Sequence, residues 1–473
     1  MNKEVDRHVA RQVVRPRVIV IGGGFGGVAA ARALRRAEAD VVLIDRQNHH
    51  LFQPLLYQVA TAALSPGNIA APIRRIFAGQ DNCTVIMSEV TNVDLAGRSV
   101  ALADRSLSYD YLVLAAGVRT NYFGNVSWAQ HAPGLKTIDE AIDVRGRFLL
   151  AFEQAELEGD PDARQAALTF AIVGAGPTGV EMAGAMSEIS RQTLRRDYRH
   201  FDTQSARVLL IELADRVLPT FPPELSQRAA RDLEDLGVEI RLETRVVDVG
   251  AEGLTVAQGD DHQCIAAHNI IWAAGVRAVG LAERIGTPTD AAGRLEVGDD
   301  LTVPGHPEVF VAGDLAMRID PNTNRPVPGV APAAMQMGRF VGKTITAEAE
   351  ARVRGVTPPS RRKFVYVDKG NMATIGRNRA VADIRGLRFG GILAFLLWAF
   401  VHVLFLVDFR RKFATFLEWV WMYFFYERGV RLITGEGRVP RPRRPAPDLG
   451  ESLGESVRES SSPRSREMRS RKR

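Results

Sequence analysis

Two glycine-rich strings carry the first recognisable chemistry in this chain of 473 residues, Gly22-Gly23-Gly24-Phe25-Gly26-Gly27 and Gly174-Ala175-Gly176-Pro177-Thr178-Gly179. Each follows an apolar, β-branched run and opens an Ala-rich helical pattern, the strand-turn-helix setting in which G-x-G-x-x-G has mechanical meaning. The first glycine of each permits a tight turn, the second lets backbone approach a pyrophosphate, and the last allows close helix-strand packing. The following helix N-terminus offers unpaired N–H groups and a positive dipole end to phosphate. Two copies therefore predict two bound dinucleotides.

Each string is followed by a strand ending in an acid. Asp45 closes Val41-Val42-Leu43-Ile44 and stands 23 residues after Gly22, near the spacing of roughly 20 at which a carboxylate accepts hydrogen bonds from a ribose. Glu212 closes Leu209-Leu210-Ile211, 38 residues after Gly174, and the excess fits a longer helix with a polar insertion over residues 187–206. A carboxylate there accepts from a ribose 2′-hydroxyl and repels a 2′-phosphate, which favours NADH over NADPH, with Arg216 nearby as the opposing charge. The pattern recurs again in two apolar strands with the same ending, Ala115-Ala116-Gly117 and Ala273-Ala274-Gly275, so the chain carries an internal repeat.

A third nucleotide-contact candidate is the strand Val309-Phe310-Val311 with its end Ala312-Gly313-Asp314, followed by a breaker-rich approach to a helix over residues 328–338. The stretch from Asn48 to Thr61 is too apolar for an ordinary loop and too rich in turn residues for a long helix, and is expected to cover a ligand. Its adjacent His49 and His50 do not share a helix face and have no Asp, Glu or Cys at ligand spacing, so no metal is assigned.

These residues resemble the two-dinucleotide flavoprotein disulfide reductase superfamily over residues 15–345. The strings Gln53-Pro54-Leu55-Leu56-Tyr57-Gln58-Val59-Ala60, Gly176-Pro177-Thr178-Gly179-Val180-Glu181 and Asp368-Lys369-Gly370-Asn371-Met372-Ala373-Thr374-Ile375-Gly376-Arg377 narrow the resemblance to the type II NADH:quinone oxidoreductases, over residues 17–433. The resemblance implies FAD at the first fingerprint, with Gly22, Gly24, Phe25, Gly26, Gly27, Asp45, Gln58, Ala116, Gly117, Gly313 and Asp314 as its contacts. It implies NADH at the second, with Gly174, Gly176, Pro177, Thr178, Gly179, Glu212, Ala274 and Gly275. Glu181, placed on the first turn of the second fingerprint helix, is expected to orient substrate or relay protons near the nicotinamide and quinone end of the flavin. Lys369 is expected to place positive charge near the flavin. Where the family often has Ala-Gln-x-x-x-Gln, this chain has Ala331-Pro332-Ala333-Ala334-Met335-Gln336, which leaves Gln336 as the candidate at the quinone pocket or flavin edge.

The elements that must position these groups are read as an α/β chain of two Rossmann-like dinucleotide-binding domains with a C-terminal membrane-anchoring helical region. The expected boundaries are 15–135 with 290–350 for FAD, 136–289 for NADH, 351–434 for the C-terminal region and 435–473 for a disordered basic tail. Residues 389–407 form 19 positions with one ionisable group, His402, and a second aromatic segment, 413–426, follows. The interrupting glycines, the balanced charges Arg385 and Arg388 before and Arg410, Arg411 and Lys412 after, and the Trp and Tyr content favour two helices lying in one leaflet over a single span.

At 46% hydrophobic residues the chain supports two or three cores. Its net charge of +6 gathers near the C-terminal region rather than along a nucleic-acid module, so an anionic membrane surface is the expected partner and nucleic acid is not. Cys83 and Cys264 form neither a C-x-x-C nor a metal spacing, which points to reduced thiols and argues against dithiol or sulfide substrates. Residues 1–17 lack an apolar secretory core, so the protein is expected on the cytoplasmic face of the membrane, peripheral or monotopic. The reading is thus NADH oxidation with two-electron transfer to ubiquinone or menaquinone, without proton pumping. A flavoprotein NAD(P)H reductase for a soluble or protein acceptor, and a non-catalytic membrane-tethered NADH-binding flavoprotein, remain open, as does a homodimer.

Overall fold

The computed structural model describes residues 15–425 and 428–434. Tyr426 and the tail from 435 onward, read above as an aromatic interface residue and a disordered segment, lie outside the described residues. Within them the internal repeat is borne out element by element. The first unit has a six-stranded sheet ordered Thr302–Val303, His306–Val311, Tyr111–Leu114, Arg17–Ile21, Asp40–Asp45, Cys83–Met87. The second has Asn269–Trp272, Thr169–Val173, Arg207–Ile211 and Val238–Arg241 in the corresponding order. In both units the fingerprint strand is central and pairs in parallel with the strand that ends in the acid and with the strand that ends in Ala-Gly. Both also insert a three-stranded antiparallel meander at the same point, 90–108 in the first and 245–266 in the second.

These central strands are apolar on both faces because both faces are covered. Val18, Ile19, Val20, Phe170, Ala171 and Ile172 have no solvent exposure. The fingerprint turns repeat to atomic detail. Gly22 and Gly174 have φ of +106° and +99°, and a Cβ added at Gly27 or Gly179 would overlap the carbonyl oxygen of Gly22 or Gly174. The turn closes directly on its helix, and only glycine at both ends lets it do so. The helices themselves run Phe25–Ala33 and Pro177–Glu188, the second prolonged by a π-turn at Ile189–Thr193.

One connection joins the units: the strands leaving the two Ala-Gly ends, Val118–Thr120 and Val276–Ala278, pair with each other antiparallel. Within the first unit the helix Ala331–Arg354 lies across the fingerprint helix, with Gly338 against the Gly26 carbonyl and Gly342 against that of Ala30. The hydrophobic cores do not divide where the sequence suggested. Trp128 and Ala132, before residue 136, belong to the core of the second unit, and Ala278, Leu281 and Ile285, before residue 289, belong to that of the first.

The C-terminal region is an antiparallel sheet, Asn371–Gly376, Arg379–Ile384 and Leu387–Gly390, followed by helices Ile392–Phe405 and Phe409–Phe425. The apolar run read as starting at Phe389 thus gives its first two residues to a strand and leaves a 14-residue helix. No helix among the described residues is long and apolar enough to cross a membrane. Arg388 and Arg411 do not simply flank a lipid surface. Arg388 binds Glu224, and Arg411 donates to the carbonyl of Ala70 and pairs with Asp408.

Gly27→Ala and Gly179→Ala should each destabilise its own unit, by about 1–3 kcal/mol or more, since the added methyl meets backbone that cannot step aside. Urea unfolding followed with Trp fluorescence, and limited proteolysis to assign the weakened unit, measure this.

Candidate functional site

The strand-end acids are held in matching ways. Asp45 accepts the N–H of Gly23 at 2.5 Å and of Gln47 at 2.7 Å, while Glu212 accepts those of Ala175 at 2.6 Å and Ala214 at 2.9 Å. Each carboxylate is fixed by two backbone donors and keeps lone pairs for a ribose hydroxyl. A Cβ at Gly24 or Gly176 would meet nothing within 4 Å, so open space lies above both turns. Neither following helix has an acid in its first turn or a side-chain cap, which leaves its N–H groups to an incoming phosphate. Pro177 fills the first helical position, where its missing N–H costs nothing, and Thr178 follows it half-exposed. Ala274 lies against Gly174, and Gly275, with φ of +72°, faces the Phe123 ring.

Around the first fingerprint, Gly22, Gly24, Phe25, Gly26, Asp45, Ala116, Gly117, Gly313 and Asp314 line one continuous cleft. Its residues fit the pyrophosphate and ribose of a dinucleotide, which the repeat implies. Gly27 closes the turn behind it. Lys136, which sequence reasoning missed, enters the same cleft just before the helix Ile138–Leu157. Burial pushes the Asp314 carboxyl up and the Lys136 amine down, and each is partly restored by the other's charge. His50 is occupied elsewhere. Its Nδ1 pairs with the Gly23 carbonyl at 2.8 Å, its ring stands edge-on to Phe25, and burial holds it below the usual range. No cluster of three or more metal-ligating side chains occurs among the described residues.

Gln58, Gln336 and Lys369, each predicted at or near the flavin, do not line this cleft. Gln58 faces a second pocket, where its Nε2 donates to the Tyr57 hydroxyl at 2.9 Å and its Oε1 accepts from the Trp419 indole at 2.7 Å. Gln336 spends both ends of its amide on the backbone of Val367, clamping the extended strap that leads to the C-terminal sheet. Lys369 is exposed on that strap and lines neither cavity.

The second pocket, about 320 Å³, forms where the second fingerprint helix meets the C-terminal sheet and helices. Its walls are mainly apolar and aromatic, with Phe395, Trp398, Trp419 and Tyr423 prominent. Glu181 stands in it, in the second helical turn rather than the first, because the helix starts at Pro177. Its carboxylate accepts the Thr374 N–H at 3.4 Å, a weak bond. Burial pushes it up to about 8, against the opposing pull of Thr374 and the Trp398 indole, so the group is protonated at neutral pH. An aromatic ladder joins the two cavities. Phe25 meets Phe52 edge-on at 5.7 Å, Phe52 meets His402 at 6.1 Å, His402 lies on Trp398 at 4.4 Å, and Trp398 stacks on Trp419 at 5.2 Å. His402 accepts burial as a neutral ring, held down to about 4. The stretch 48–61, expected over a ligand, forms the wall between the cavities, with His49, Leu51 and Gln53 on the first and Tyr57 and Gln58 on the second.

Residues 16–338 match the family described as pyridine nucleotide-disulphide oxidoreductase, and residues 369–428 match the NDH2 C-terminal domain. The chain is 45% identical over 438 residues to the type II NADH:quinone oxidoreductase Ndh of Mycobacterium tuberculosis, covering 91% of this chain and 92% of that one. It is 43% identical over 433 residues to NdhA of the same organism, covering 89% and 90%. The fold is similar to that of NDH2 from Plasmodium falciparum in complex with NADH, with a TM-score of 0.79 at 20% identity, over 89% of this chain and all of that one.

A carboxyl whose folded value is raised stabilises the fold fully below its unfolded value, and that contribution is lost as pH rises through the folded one. Wild-type stability should therefore fall relative to Glu181→Gln between pH about 4.5 and about 8, measured by urea unfolding across that range. A constant difference would show that Glu181 is ionised throughout.

Proposed function

The chain belongs to the type II NADH:quinone oxidoreductases, and from that premise we infer that the first cleft holds FAD, the second fingerprint NADH, and the apolar pocket the ring of a membrane quinone. The overall reaction is NADH + H⁺ + quinone → NAD⁺ + quinol, without proton pumping. When bound, FAD supplies the two-electron chemistry that no side chain here provides.

The protein's own groups bind, orient and move protons. Gly24 and the N-terminus of Phe25–Ala33 meet the FAD pyrophosphate, Asp45 its ribose, and Asp314 with Lys136 the ribityl and flavin end. Glu212 selects the 2′-hydroxyl of NADH. Trp398, Trp419 and Tyr423 offer aromatic faces to a planar acceptor. Glu181, protonated in the resting pocket, donates to the quinone oxygen as the quinol forms. The observation that carries this reading is the buried Glu181, on the helix of the NADH fingerprint, inside an aromatic pocket built by the C-terminal helices, where desolvation favours its protonated form.

Those helices expose Leu393, Phe400, Phe409 and Phe413 outward. Such an apolar surface suits the interior of one lipid leaflet, from which a lipid-soluble quinone reaches the pocket sideways.

Purified protein should oxidise NADH when a quinone is added, and Glu181→Gln should lower quinone-dependent turnover roughly 10²-fold while FAD absorbance is retained. Wild-type turnover in that variant would remove Glu181 from the reaction. Replacing Leu393, Phe400 and Phe413 with Glu should weaken flotation with lipid vesicles by about tenfold or more per position.

A further inference from the structure

The quinol gains two hydrogens but NADH brings only one with its electron pair, so the second proton has to cross an apolar wall from solvent. Glu181 is 8% exposed and cannot take it up directly. Seven residues further along the same helix, on the same face, Glu188 lines the same pocket, and its side chain is 17% exposed. Tyr57 also lines the pocket and lies within electrostatic reach of both carboxyls. Its hydroxyl accepts from Gln58 Nε2, which leaves its own O–H free to donate.

We propose that Glu188 is the port through which the solvent proton enters the pocket, passing by way of the Tyr57 hydroxyl and water to Glu181 and on to the quinone oxygen. The proposal rests on this pocket being the quinone site. Along a helix, seven residues span about 10 Å, too far for direct transfer between carboxyls but short enough for the phenol and one or two waters. No electron moves in the relay. Each carboxyl releases one proton inward and regains one from the side nearer solvent.

The groups facing Glu188 suit a carboxyl that both binds and releases. The Arg377 N–H donates to its Oε1 at 2.6 Å, Arg428 lies 3.8 Å from its Oε2, and the charges of Arg377, Arg379 and Arg428 favour ionisation. Burial outweighs them and pushes the group up, and the Glu188 charge in turn helps to raise the Tyr57 hydroxyl. Arg428 is itself held by the Thr61 carbonyl at 3.0 Å, so the cation stays in place when Glu188 takes a proton.

The test compares two acceptors on the FAD-loaded enzyme. Ubiquinone-1 takes two electrons and two protons, whereas ferricyanide takes electrons alone. Glu188→Gln and Tyr57→Phe should each lower the ratio of quinone to ferricyanide turnover by roughly tenfold, with a larger solvent deuterium effect on the quinone rate. Glu188→Asp should recover most of the ratio. An unchanged ratio and isotope effect in Glu188→Gln overturns the relay, as does parallel loss of both activities with loss of FAD, which would mark a structural residue. If Glu181→Gln also leaves the ratio unchanged, the quinone-pocket reading itself falls. If Glu181→Gln lowers it and Glu188→Gln does not, only the relay does.

Discussion

The second half of the molecule depends on how closely the strand Asn371–Gly376 can lie on the helix Pro177–Glu188. The contact is made at Gly184, where any Cβ would overlap the Ile375 carbonyl oxygen. With hydrogen there instead, the strand reaches backbone contact with the helix and brings one N–H to each of two carboxyls, Thr374 to Glu181 and Arg377 to Glu188. A buried carboxyl without such donors would pay the full cost of desolvation. A side chain at residue 184 would lift the sheet, open the pocket and remove those donors together. In the proposed function the helix serves two sites at once, its N-terminus for the dinucleotide and its flank for the acceptor.

This double use explains why the C-terminal region is built as it is. The sheet fixes the start of Ile392–Phe405, the Trp419 indole ties Phe409–Phe425 back to Gln58, and Arg411 holds that helix to the Ala70 carbonyl. Anchored at both ends, the pair presents aromatic rings inward and Leu and Phe outward. The ladder from Phe25 through Phe52 and His402 to Trp398 carries the same packing across to the first fingerprint. A shift of the two outer helices would therefore be felt at both cavities.

What the sequence made legible was whatever its local pattern encodes. The fingerprint glycines, the strand-end acids Asp45 and Glu212, and the Ala-Gly strand ends act within their own turn or with a neighbouring parallel strand, so spacing alone announces them. Glu181 was visible through the family resemblance of its string, although it stands one turn later than expected because the helix starts inside the fingerprint, at Pro177. The residues that escaped or went astray owe their roles to distant chain. Lys136 reaches the cleft only through the fold, and Glu188 and Gly184 matter only once residues 371–377 dock on them. Gln336 looked like a site residue but its amide is consumed by Val367, and Gln58 turned towards Trp419, 361 residues away. The domain boundaries slipped because Trp128 and Leu281 pack into the neighbouring unit's core, which no composition change marks.

The central claim is that the acceptor ring binds where the second fingerprint helix, the C-terminal sheet and the two outer helices meet. Photolabelling of the FAD-loaded enzyme with an azidoquinone, followed by peptide mass spectrometry, tests it most directly. Label on peptides containing residues 177–188, 371–377 and 392–425, suppressed by excess ubiquinone-1, is the expected result. Competed label confined to the first cleft, on peptides containing residues 22–53 or 115–140, with those segments unlabelled, would contradict it.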